Sequence, residues 1–269
     1  MTRAFRALLL EGLQKFATSG YASEGDLQNW LRRLTAALEF DLPTDDESRS
    51  MLRRILDAVY AREVRGGIAR VVPGVSRYTI DRVAPHLRAE LDRRIFAGVE
   101  LIKLNKRAAT QKTLQRFSGW VSSVPPTGAI TTDLRSVARE IAKPASRIKF
   151  EARRVAIDQG RKLSAAVAHV VATGAGAIGA IWHDRGQLDH GYDARPEHLA
   201  RSGKLFLVRD SWAMEQGLVR RGGPYTDEIE QPAEMVYCAC YWEYLTTPYD
   251  LPRRLLTRRG QAWIAGKTP

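Results

Sequence analysis

Cysteine is scarce: the chain holds two in 269 residues, Cys238 and Cys240, both in one Cys-x-Cys. That excludes a disulfide scaffold and gives no sign of a chain built for an oxidising compartment. Long apolar runs are missing too. The longest uncharged stretch, Leu163 to Trp182, is mostly Ala and Gly and holds Ser164, His169 and Thr173. It fits a buried helix that stops near Gly174 and hands over to a strand better than a membrane span. The N-terminus opens like a secretion signal, with Arg3 and Arg6 before Leu8, Leu9 and Leu10. Glu11 and Lys15 then interrupt it, so a helix is expected instead. No G-x-S-x-G, H-E-x-x-H or P-loop occurs. The small-residue run Thr173 to Ala177 has the look of a phosphate loop, but it follows a helix rather than a strand, and the dinucleotide reading fails.

What is abundant is positive charge. The net charge is +12, and its distribution is uneven. Met1–Val72 carries 11 basic and 10 acidic side chains, Pro73–Ala180 carries 19 and 8, and Ile181–Pro269 carries 12 and 12. Nearly all the excess therefore sits in the middle of the chain, a density that favours a polyanion or an acidic protein face. Solvated helix faces are the plainer explanation of the same charges.

Apolar spacing predicts a mainly α fold with a small C-terminal α+β module. Phe5, Leu8, Leu9, Leu13 and Phe16 describe one amphipathic helix. Ser23 with Asp26 opens a second through Trp30, Leu34 and Leu38, and Thr44 with three acids opens a third through Met51, Ile55 and Val59. A long basic helix is expected from about Ile80 to Trp120, with Pro85 in its first turn or kinking it. Opposite its apolar residues stand Arg88, Arg93, Arg94, Lys103, Lys106, Arg107, Lys112 and Arg116. No Trp or Tyr interleaves these charges, which points to non-specific DNA contact or docking on an acidic protein ring. Ser122 to Gly128, with Pro125-Pro126, reads as a linker. Asp133 then starts a helix ended by Pro144, and another runs from about Ala145 to Ala172. A short antiparallel sheet follows, with one strand ending at Ile181-Trp182-His183-Asp184 and another covering Met235 to Trp242. Four segments result: residues 1–72, a helical unit; 73–124, the basic helix; 125–248, the α+β module; and 249–269, a basic tail that either docks as an arm or frays.

The order Trp182, Asp184 or Asp193, Arg195-x-x-His198, Gly203, Pro224 or Pro232, and Cys238-x-Cys240 resembles the C-terminal module of phage Mu F-like minor head proteins, the phage head morphogenesis family. The likeness covers roughly Thr132 to Leu245. It implies a virion structural protein rather than an enzyme, acting in head assembly inside the capsid after synthesis in the host cytoplasm. Its implied partners are the portal, on which it would be oligomeric, capsid proteins and packaged double-stranded DNA. It also implies that Trp182, Asp193, Arg195 and His198 form a polar network holding a loop onto the sheet.

The residues themselves leave other readings open. Cys238 and Cys240 would share a face if they lay on a strand, and with His198 they could grip zinc; they could equally be buried core or a redox pair. No other cofactor is indicated. A catalytic triad built on His198 would need an orienting Asp and a nucleophile such as Ser202 or a cysteine, and the sequence does not place one. A metal-dependent nuclease using His183, His190 and His198, and a general DNA-binding protein, are the competing functions.

Overall fold

A computed structural model describes residues 3–20, 23–73, 75–125, 133–184 and 195–266. The chain is mainly helical with one small antiparallel sheet near its C-terminal end, as expected. The helices are α1 (Arg3–Ser19), α2 (Glu24–Asp41), α3 (Asp45–Arg62), α4 (Ile68–Val71), α5 (Arg77–Ser123), α6 (Leu134–Ser146) and α7 (Ile148–Gly174). Then come β1 (Gly179–His183), α8 (Pro196–Arg201), β2 (Leu205–Leu207), α9 (Trp212–Glu215), β3 (Tyr241–Leu245) and α10 (Arg258–Ile264).

The helix starts follow local chemistry. Ser23 accepts from the Asp26 N–H, and Asp133 from the Arg135 N–H. Thr44 and Glu47 exchange side-chain and backbone hydrogen bonds of 3.1 and 2.7 Å, a reciprocal capping box. Both internal prolines are tolerated further inside their helices than expected. Pro85 lies in the third turn of α5, not its first, and α6 continues past Pro144 to Ser146.

The chain divides into two compact units, Met1–Leu52 with Ala97–Val155, and Arg53–Phe96 with Ala156–Pro269. These do not follow the four segments read from the sequence, because α3, α5 and α7 each contribute residues to both units. The first unit is a helical bundle. Its core joins Phe5, Leu9, Leu13 and Phe16 of α1 to Trp30, Leu34 and Leu38 of α2, Phe117 and Val121 of α5, and Ile141 of α6. Phe16 meets Trp30 and Phe117 edge to face at 6.3 and 5.9 Å.

The second unit holds the sheet, ordered β2-β1-β3, with Ile181 opposite Leu205 and Trp182 opposite Trp242. Because side chains alternate along a strand, β1 serves two cores. Ala180 and Trp182 join Phe206, Trp242, Tyr244 and the α7 residues Leu163, Val167 and Val171 on one face. The other face gathers Ile178, Leu207, Leu245, Leu251 and Leu256, with Ile181 packed against them. Leu251 and Leu256 belong to the segment expected to be a tail, which is instead part of this second core. Thr257 caps α10 by accepting from the Gly260 N–H, and its own N–H donates to the Leu218 carbonyl at 3.0 Å.

The expected strand from Met235 to Trp242 is shorter and begins later, at Tyr241. Tyr237 has φ 65°, in the left-handed region that breaks an extended run. Its backbone is clamped from α7: the Arg161 guanidinium donates to its carbonyl at 2.8 Å, and its N–H donates to buried Asp158 at 3.1 Å. Lys162 balances Asp158 at 2.9 Å.

Candidate functional site

Three elements of the second unit bring their polar residues to one point. β1 supplies Trp182, α8 supplies His198, and the segment entering β3 supplies Cys238 and Cys240. Arg195, before Pro196 at the first position of α8, accepts the His198 N–H on its carbonyl, which fixes where the imidazole starts. After α8 the chain turns at Gly203, whose φ of +72° suits glycine. Its N–H donates to the Trp182 carbonyl at 2.8 Å, returning the chain to the sheet as β2.

His198 Nδ1 lies 3.6 Å from Cys238 Sγ and 3.5 Å from Cys240 Sγ. These three ligand atoms lie within 4.8 Å of one another, the one such group of possible metal ligands found among the described residues. All three residues are buried, His198 and Cys238 at 2% exposure and Cys240 at 8%. On the far side of the imidazole, Nε2 meets Glu230 Oε2 at 3.3 Å, and Arg201 approaches the same carboxylate at 3.8 Å. Trp182 packs edge-on against His198 at 5.3 Å and Trp242 at 5.0 Å, with the Arg201 guanidinium 5.3 Å from its ring centre.

The neighbouring Cys240 thiol, against the cost of burial, draws Cys238 well below the ordinary thiol range. The Ala233 N–H at 3.4 Å and His198 favour its thiolate too. The same contact, with burial and the charge of Asp184, drives Cys240 upward. Thiol, imidazole and carboxylate stand in the order of a cysteine hydrolase. His198, Cys238 and Cys240 are all buried, which disfavours attack on a substrate carbonyl, although Cys240 borders a cavity of about 330 Å³.

The other candidates fall elsewhere. Ser202 is exposed and closes α8. His183 points away from His198, stacks on Tyr241 at 5.0 Å and pairs with Glu243 at 2.7 Å. Arg195 donates to the Val236 carbonyl at 3.3 Å, tying α8 to the turn before the cysteines. Asp193 and His190 lie outside the described residues. Sequence reading missed Glu230, which stands in an acidic stretch with no spacing to mark it.

The expected basic face of α5 is not one face. At about 100° per residue its eight cations fall around the helix axis, and most are engaged within the chain. Arg88 meets Asp57 at 3.9 Å and Asp92 at 3.6 Å, while Arg93 and Arg94 both hold Glu90, at 2.7 and 2.6 Å. Lys103 reaches Asp45 and Glu100, Lys106 reaches Asp45 and the Pro43 carbonyl, and Arg116 donates to the Glu140 carbonyl at 2.6 Å. Arg107 and Lys112 are exposed, with no ion pair recorded among the described residues. Within the first unit, Lys103, Lys106 and Arg107 line a groove of about 690 Å³ whose rim also carries Glu39 and Asp45.

No helix among the described residues is long and apolar enough to cross a membrane. Compared with family models, with curated proteins and with solved structures, the chain matches none.

Proposed function

We propose that the chain is a phage structural protein of the Mu F-like minor head class, acting in head assembly on the portal and inside the capsid. The observation that carries this reading is the meeting of residues that the sequence scatters from Trp182 to Cys240. The aromatic and imidazole rings lie at 5.3 Å, Gly203 bonds back to Trp182, Arg195 binds the turn before the cysteines, and both thiols meet the same imidazole nitrogen. These contacts join the sheet to α8 and to the segment entering β3. They favour a holding role, because His198, Cys238 and Cys240 are all buried where the elements meet.

The internal pairing of most α5 cations favours a protein partner for this helix, such as an acidic portal surface, over tight binding along DNA phosphates. Packaged DNA is then a secondary contact, made through exposed cations such as Arg107 and Lys112. The test is to follow the tagged chain through phage assembly. It should band with purified heads and bind isolated portal rings more tightly than free double-stranded DNA. The proposal falls if the chain stays out of heads, or if the purified protein cleaves nucleic acid with an added divalent metal, which would favour the nuclease reading.

A further inference from the structure

We infer that His198 Nδ1, Cys238 Sγ and Cys240 Sγ are three ligands of a structural zinc site. The argument rests on distance. A tetrahedral zinc ion bonded to sulfur at about 2.3 Å and to imidazole nitrogen at about 2.0–2.1 Å sets those two atoms about 3.5 Å apart. The two sulfur–nitrogen separations here are 3.6 and 3.5 Å. Two independent edges of the expected tetrahedron are therefore already formed by side chains from different parts of the fold.

The surroundings are also those of a metal ligand set. A ligating histidine ordinarily gives its other ring nitrogen to a carboxylate, which fixes the tautomer and makes the ligand more basic. Glu230 occupies that place, 3.3 Å from Nε2. The Ala233 N–H directed at Cys238 Sγ is the kind of contact that stabilises a coordinated thiolate. The packing of Trp182 against His198, and the burial of all three ligands, would keep bulk water from the bond. The three atoms leave the fourth position to a further donor. Binding exchanges protons for the ion: each thiol that coordinates does so as thiolate, and the displaced protons leave to solvent. No redox step is involved. The site does not depend on the head-protein assignment and would stand if that assignment fell.

The test uses the full-length chain, expressed with added zinc and purified under reducing conditions. Metal analysis by mass spectrometry should find about one zinc per chain. A mercurial thiol reagent added to the native protein should release zinc in step with modification of the two thiols. Growth with cobalt should give the visible absorption of tetrahedral Co²⁺ together with a thiolate charge-transfer band. In Cys238→Ser/Cys240→Ser, checked for folding by circular dichroism, zinc content should fall by about tenfold or more. The mercurial release and cobalt spectrum need no variant, so they decide the matter if the double variant does not fold. The proposal is overturned if the reduced wild-type chain takes up no metal on dialysis against zinc. It is equally overturned if zinc remains in the folded double-serine variant, or leaves without regard to thiol modification. Failure of portal binding with zinc retained would count against the assembly role alone.

Discussion

Replacing Gly260 by alanine puts a methyl carbon where the structure has no room. An ideal Cβ at this position lies 2.1 Å from the Leu218 carbonyl oxygen and 3.0 Å from its carbon, and both are backbone atoms that no rotamer change can move aside. Relief requires α10 to retreat by about 1 Å, since ordinary carbon–oxygen contacts begin near 3 Å. That retreat would pull on the Thr257 N–H, which donates to the same carbonyl, and on Leu256, which is fully buried beside it. Overpacking of this severity belongs at the upper end of its usual range, about 3 kcal/mol. For a unit of this size the melting temperature should fall by roughly 6–12 °C. The measurement is thermal unfolding followed by far-ultraviolet circular dichroism and tryptophan fluorescence. Gly119→Ala serves as control: its Cβ meets nothing within 4 Å, and in a helix interior it should leave stability unchanged or gain up to about 1 kcal/mol. If Gly260→Ala melts with the wild type, the C-terminal segment is not docked on Leu218 and the argument fails.

Other outcomes follow from the same contacts. Trp182→Ala should cost about 3–5 kcal/mol in chemical denaturation, since the ring is fully buried against Trp242 and His198; a cost under about 1 kcal/mol would contradict that packing. Glu230→Gln should leave the fold intact and weaken zinc binding by about 10–100-fold in a chelator competition, whereas unchanged affinity would remove the carboxylate from the site. Asp158→Ala takes away the acceptor of the Tyr237 N–H and the partner of Lys162, and should lower stability by about 1–3 kcal/mol while speeding thiol modification of Cys238. Burial raises Tyr244 above its ordinary value of 10.0. The unfolded chain therefore loses this proton first as pH rises, so the stabilisation is complete below about pH 10 and declines above it. Tyr244→Phe should flatten the alkaline limb of a stability–pH curve, and an unaltered limb would refute the assignment.

Periodicity and caps made the helices readable. Ser23, Thr44 and Asp133 act within one turn of chain, and Phe5, Leu9, Leu13 and Phe16 mark a buried stripe that local spacing reveals. The sheet was less legible where distant residues decide the backbone. Val236-Tyr237-Cys238 has the composition of a strand, yet Tyr237 is turned to positive φ by Arg161 and Asp158, which stand on α7 far earlier in the chain. The cysteines consequently meet His198 from an irregular segment rather than from a strand face. For α5 the number of cations was evident, but their partners were not. Asp57 and Asp45 lie on α3, and no spacing rule links them to Arg88 or Lys103. Likewise Leu251 and Leu256 sit among arginines that suggest a loose tail, and only the sheet's second face explains their burial.

The central position of β1 also sets two loop closures of different length. Its register with β2, Ile181 against Leu205, joins segments near each other in the chain, whereas its register with β3, His183 against Tyr241, needs a longer and entropically costlier closure. Until that second pairing is made, Cys238 and Cys240 are carried on an unpaired segment, open to oxidants and to the thiols of neighbouring nascent chains. A newly made chain therefore carries both thiols unprotected until that pairing forms, and refolding yield should depend on reductant up to that moment and hardly at all afterwards.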